Sequence, residues 1–327
     1  MNNTQTRGKG LMFGARIKKY LKLQAVPILV LLLMIIVATA LSPAFFTALN
    51  LQNLLVQQSL IMVVSLGMFI VILTGGIDLS VGSIVAVSGV FCASFMQNLP
   101  AGLAMLLAII ICTLIGAFDG LIVAKVKIPP FIVTLGMLSF ARGIAYWFTG
   151  SSPISWKGTA DADFMMQVGI GKIAGIPIIA LIWVLMVILT AFLARKTVVG
   201  RIMYAIGGNE EAVTLSGIDV SKWKVFPYAF SGFCCGLGGI LLMARLGLGA
   251  PTSGEGLELD CIAAVVIGGT SFNGGKGTVS GVVIGVFILG IINNILDLMN
   301  VSAYPQLMLK GAIIVLAVIL SSVKDKR

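Results

Sequence analysis

Leu73-Thr74-Gly75-Gly76-Ile77-Asp78-Leu79-Ser80-Val81-Gly82-Ser83 carries, in Asp78, the first charged side chain after Lys22. Residues 23–77 are therefore charge-free, and after Asp78 no charge returns until Asp119. One helical crossing of a bilayer needs only about 20 apolar residues, so each run has room for about two spans. The stretch predicts an acid lying between glycine breaks, at the end of one span and the start of the next.

Composition agrees with a lipid-embedded chain. Of 327 residues, 58% are hydrophobic and 10% charged, against about 25% charged in an average soluble domain. Hydropathy predicts spans near 24–42, 54–73, 82–97, 101–124, 131–149, 176–194, 226–245, 260–272, 278–296 and 305–322. The expected fold is an all-α membrane protein of about ten transmembrane helices. Two of these, 82–97 and 260–272, are too short for a full crossing and read as broken spans.

The net charge of +10 would suggest nucleic acid in a soluble protein. Here its distribution across alternate loops is the informative quantity. With the N-terminus in the cytoplasm, 17 Lys and Arg fall inside: the six from Arg7 to Lys22, Lys125, Lys127, Arg195, Lys196, Arg201, Lys222, Lys224, Lys276, Lys324, Lys326 and Arg327. Only Lys157 and Lys172 fall outside, while Arg142, Arg245 and Lys310 lie within or at the ends of spans. Both termini are expected in the cytoplasm, and no nucleic-acid partner is expected. An eight-span topology would place the ends on the same side. The apolar run from Ala25 to Leu41 exceeds a signal-peptide core of roughly 7–15 residues and is followed by further spans, so an uncleaved first span is expected.

The chain contains no histidine, which removes the commonest general base and metal ligand. Cys92, Cys112, Cys234, Cys235 and Cys261 lie in apolar stretches without metal-ligand or redox spacing and read as small packed hydrophobes. No metal or cofactor is expected in this chain, and no enzymatic activity.

Three segments carry chemistry. Asp78, with Ser80 beside it, either caps the following helix or takes part in gating or substrate contact, since an ionisable group at membrane depth is a functional candidate by default. In Gly200–Gly217, Asn209 is a good N-cap, Glu210 and Glu211 suit the positive end of a helix dipole, and Gly217 is placed to end the helix. A short capped helix in the long internal loop 195–225 follows, either docking onto another subunit or forming an inert turn. Gly268-Gly269-Thr270-Ser271-Phe272-Asn273-Gly274-Gly275-Lys276-Gly277-Thr278 invites comparison with a phosphate-binding loop. Gly277 stands where that loop has Ser or Thr, and the flanks are spans. Any energy input is expected from a partner.

Val71–Gly76 is echoed weakly by Val265–Gly269, each followed by small polar residues, as in the paired broken helices of transporters; close packing through small residues would give the same pattern. Polar side chains inside apolar runs, including Gln57, Gln58, Ser59, Ser65, Ser88, Asn293 and Asn294, suit an uncharged polyol better than an ion, but such residues also glue helices together. An ion-coupled secondary transporter of a small polar solute is the alternative, with Asp78, Asp119 and Asp297 its candidate acids.

Through Leu73–Ser83, Gly200–Gly217 and Gly268–Thr278, and further through Leu41–Thr47, Glu258–Val266 and Asn293–Leu296, the chain resembles the permease family of bacterial ribose-type ABC importers over nearly its whole length. The resemblance implies a single permease domain, 24–322, between a cytoplasmic N-terminus, 1–23, and a cytoplasmic tail, 323–327, in the inner membrane. It implies a second permease copy, a periplasmic sugar-binding protein, and a separate cytoplasmic subunit that uses ATP and Mg, since nothing up to Arg327 reads as a fused ATPase. Gly207, Gly208, Asn209, Glu210, Glu211 and Ala212 would then form the coupling helix. Asp78, Ser80, Asn293 and Asn294 would serve gating or the pathway. Lys157, Asp161, Asp163, Glu255 and Glu258 are expected, as a set, to meet the binding protein.

Overall fold

The computed structural model describes residues 25–325. The expected N-terminal segment 1–23 and the end of the expected tail, 326–327, lie outside the described residues. The described chain is a helical bundle: α1 (Ala25–Leu41), α2 (Ala48–Leu73), α3 (Val81–Phe95), α4 (Ala101–Val126), α5 (Pro130–Thr149), α6 (Ala162–Ile170), α7 (Ile178–Lys196), α8 (Val198–Gly208), α9 (Glu210–Leu215), α10 (Val220–Leu246), α11 (Leu257–Ile267), α12 (Val279–Leu298) and α13 (Ala303–Asp325). Among the described residues, helix covers most of each stretch that hydropathy marked, although 260–272 is helical only to Ile267. Among the described residues, six helices are long and apolar enough to cross a membrane, namely α2, α4, α5, α7, α10 and α12. The two stretches expected to be short are short: α3 has 15 residues and α11 has 11, which at 1.5 Å per residue fall below a core of about 30 Å.

α10 is the hub and packs against α4, α2 and α3. Its interface with α4 follows from residue size rather than polarity. On α4, Ala104, Ala108, Cys112, Gly116, Gly120 and Ala124 recur every fourth residue and are all buried, whereas Leu106, Ile110, Leu114 and Phe118 are exposed on the other face. Small residues let two backbones approach, which is how helices associate where lipid removes the hydrophobic drive between them. Gly116 and Gly232 meet at the crossing, and a Cβ at Gly232 would overlap the Cys112 carbonyl. The exposed apolar faces of α4, α5 and α7 suit a lipid surround, and all five cysteines are free and buried.

The long loop between α5 and α7 is tied down at several points. Its β1 (Ile154–Ser155) pairs antiparallel with β4 (Leu248–Gly249); β2 (Lys172–Ile173) and β3 (Ile176–Pro177) close a small hairpin. Trp156, 2% exposed, donates its indole N–H to Met243 O at 3.0 Å. The Asp161 carboxylate accepts the Ala101 N–H at 2.6 Å, serving one of the orphan donors that begin α4.

The echoed segments end their helices in the same way. The Gly75 N–H bonds to Ile72 O and the Gly76 N–H to Val71 O; likewise Gly269 bonds to Val266 O and Thr270 to Val265 O. Both ends are Schellman turns, with Gly75 (φ +77°) and Gly269 (φ +86°) in the left-handed conformation that glycine adopts without a Cβ penalty.

Candidate functional site

The three segments singled out in the sequence meet at one end of the bundle. Gly275 N–H donates to Leu73 O at 2.9 Å, joining the Gly268–Thr278 turn to the end of α2. A Cβ on Gly207, near the end of α8, would overlap Leu73 O and Gly275 N; one on Gly274 would lie 2.8 Å from Gly75 N and 3.0 Å from Gly207 Cα. Three glycine-bearing turns thus touch backbone to backbone, and Tyr204 adds a 2.8 Å hydroxyl bond to Gly277 O. A cleft of about 340 Å³ opens beside them, lined in part by Gly76, Gly208, Glu210, Lys224, Tyr228 and Asn273. The amide of Gly275, which a phosphate loop would turn toward an anion, is spent inside the chain.

α9 begins beside this cleft. Asn209 Oδ1 accepts the Ala212 N–H at 2.9 Å, the N-cap bond expected of it, and Glu210 and Glu211 occupy the first turn. The helix ends at Ser216, after which Gly217 takes φ +85°. Glu210 Oε2 lies 2.6 Å from Lys224 Nζ of α10. Gly208, Asn209, Glu210, Glu211 and Ala212 are exposed, Val213 is buried, and Leu215 is 82% exposed. Gly207, by contrast, is built into the glycine contact.

Asp78 lies deeper, in the extended link between α2 and α3. Its Oδ1 accepts from the Ser80 N–H at 3.0 Å and the Ser80 hydroxyl at 2.5 Å, and its Oδ2 from the Ser231 hydroxyl of α10 at 2.7 Å. The capping reading covers only the first of these bonds, because Ser80, not Asp78, is the N-cap of α3 and the strongest partner outside the link is on another helix. The Ser80 hydroxyl also lies 3.4 Å from Asp119 Oδ2 of α4. Asp78 and Asp119 are each 1% exposed, and Asp119 Oδ1 has no partner among the described residues. Two carboxylates thus share one hydroxyl at depth, where each charge would be costly.

Asn294 does not join this cluster. It exchanges amide bonds with Asn50 at 2.8 and 3.0 Å, and Asn50 stands at the opposite end of α2 from Leu73, about 35 Å away at 1.5 Å per residue. Asn293, next to it on α12, is partly buried. Among the expected external contacts, Asp161 caps α4, and Glu255 accepts from the Tyr146 hydroxyl at 3.3 Å. Glu258 would meet any Cβ placed on Gly82, and the Lys157 chain covers Gly247.

Sequence reasoning passed over Ser231, Tyr228 and Lys224, the α10 residues that link the two parts of the site. Their spacing of four and three was the available signal, since it puts them on one helix face. Arg142 was also left unassigned. Its guanidinium donates to Pro251 O at 2.5 Å and Ser253 O at 2.8 Å, pinning the turn before α11 to α5.

With six helices long and apolar enough to cross a membrane among the described residues, the bundle is of the multi-pass membrane class. The family model described as branched-chain amino acid transport system / permease component matches residues 50–318, and the chain belongs to that family. It is 42% identical to the ribose import permease protein RbsC of Haemophilus influenzae over 88% of this chain and 90% of that one. Against the Bacillus subtilis ribose import permease protein the figures are 43% identity, 91% and 92%; against the Escherichia coli D-allose transport system permease protein AlsC they are 36%, 91% and 91%. No solved structure matches the chain.

Proposed function

We propose that this chain is the membrane subunit of an ATP-driven importer that carries ribose or a closely similar monosaccharide across the bacterial inner membrane. The observation that carries the proposal is identity of 42–43% with ribose import permeases over about nine tenths of both chains. The geometry adds support: α9 is capped, exposed along most of its length, and seated where three glycine turns meet, as a helix that receives another subunit would be. In this reading α9 with Gly207 and Gly208 couples to a cytoplasmic subunit that binds ATP and Mg. The β1–β4 end receives a sugar-binding protein, ten helices cross the membrane with both termini in the cytoplasm, and a second copy completes the pathway. ATP-driven closure of the partner then biases an equilibrium between outward and inward access.

The test is ATP hydrolysis in proteoliposomes holding this chain, its ATPase and its binding protein. Ribose is expected to stimulate hydrolysis, and Glu210→Ala/Glu211→Ala is expected to abolish the stimulation while ribose still binds the binding protein. A second reading, ion-coupled transport by this chain alone, draws on the buried Asp78–Asp119 pair with its unpartnered oxygen. Ribose uptake driven by a proton gradient with no ATPase present would establish that reading and refute the first.

A further inference from the structure

Lys224, Tyr228 and Ser231 stand at i, i+4 and i+7 on α10 and so share one face. At one end of that face Lys224 holds Glu210, the first residue of α9, at 2.6 Å. At the other end the Ser231 hydroxyl holds Asp78 at 2.7 Å. Between them the buried Tyr228 sets its hydroxyl against Gly76, so closely that a Cβ there would overlap it. One helix face therefore touches the exposed α9 once and the buried 76–80 link twice.

α4 flanks that face closely: Gly116 and Gly120 bring their backbone onto Tyr228 O and Val225, and Asp119 reaches Ser80 of the link. Pro227 lies between Lys224 and Tyr228 within the helix. It has no N–H, so the Trp223 carbonyl loses its helical partner and the ladder is weakest there. Side-chain contacts on both sides of Pro227 span that weak point. α9, whose buried side chain is Val213, is fastened to α10 by the Glu210–Lys224 pair.

We infer that this face of α10 transmits displacement between α9 and the Asp78 link, with Lys224 and Ser231 as the positioning residues at its two ends. The inference rests on the importer reading and deepens it. Contacts in series make a specific demand: breaking either link interrupts the same transmission, so breaking both does little more than breaking one. A merely structural role would lower the amount of folded complex, and basal and stimulated hydrolysis together, leaving their ratio unchanged.

The experiment compares the stimulation ratio, hydrolysis with ribose-loaded binding protein over hydrolysis without it, in proteoliposomes of the full complex. Lys224→Met and Ser231→Ala are each expected to lower the ratio about fivefold or more, the lower range of measured site-to-site couplings. The double variant should match the stronger single one, and Lys224→Arg, which keeps the ion pair, should stay near wild type. Should Ser231→Ala fail to fold, Ser231→Cys, whose thiol is only a weak donor, reads the same link. Ratios unchanged in both single variants, or falling in the double variant by the product of the single effects, would overturn the inference. A wild-type complex that ribose does not stimulate would instead overturn the importer reading on which it rests.

Discussion

Replacing Gly116 by alanine tests whether the bundle is held by backbone approach. The added methyl would overlap the carbonyl oxygen of Tyr228 and lie 3.0 Å from its carbonyl carbon and 3.1 Å from Gly232 Cα. These neighbours are backbone atoms, so α4 and α10 must move apart rather than a side chain rotate. Overpacking of this kind costs about 1–3 kcal/mol. Alanine also gains up to about 1 kcal/mol over glycine in helix propensity, a gain that Gly136→Ala and Gly143→Ala on α5 share, and at those positions nothing lies within 4 Å of the new methyl. The difference between the two kinds of variant isolates the packing cost. Reversible unfolding in mixed detergent and dodecyl sulfate, followed by tryptophan fluorescence, should place Gly116→Ala about 1–3 kcal/mol below Gly143→Ala. Adding Gly232→Ala should cost less than it does alone, because the helices have already separated. Equal stability of Gly116→Ala and Gly143→Ala would refute the argument.

Trp156→Phe removes the indole donor from Met243 O, which keeps the Gly247 N–H, and should cost about 0.5–1.5 kcal/mol for the one hydrogen bond lost, seen as faster protease cleavage within the loop between α5 and α7. Asn50→Leu strands the buried Asn294 amide, Asn294→Leu leaves Asn50 only its bond to Phe45 O, and the double variant strands neither amide. A double-mutant cycle in detergent unfolding should therefore give a coupling of about 0.6–2 kcal/mol, and strict additivity would show that the amide pair does not hold α2 to α12.

Much of the fold was legible because lipid imposes a coarse rule: apolar runs of a given length become helices, and each stretch marked by hydropathy is helical over most of its described residues. Finer features needed other signals. The inward face of α4 is nearly invisible to polarity, since both its faces are apolar, yet it is written in residue size, from Ala104 to Ala124 in steps of four. The cap at Asn209 was readable because a cap is a local bond, made three residues along the chain. The partners of Asp78 were not, because Ser231 is 153 residues away and no local pattern on α10 names the helix it faces. The partner of Asn294 was hidden for the same reason: polarity in an apolar run says that a side chain needs a partner, not which one. In the structure Asn294 finds Asn50 at the far end of α2.

The convergence of the three glycine turns constrains how such a bundle can move. Gly207, Gly274 and Gly75 touch through main-chain atoms, and Gly275 gives its N–H to the last carbonyl of α2. Contacts of this kind have no side-chain rotamers with which to absorb a shift, so motion at one turn must displace the others or break the Gly275–Leu73 hydrogen bond. α8 leads through Gly207 and Gly208 directly into α9, and Leu73 leads through Gly75 and Gly76 directly to Asp78. On the importer reading, the glycine contact fixes where the link begins, and the α10 face carries the part of the coupling that Lys224→Met and Ser231→Ala would remove.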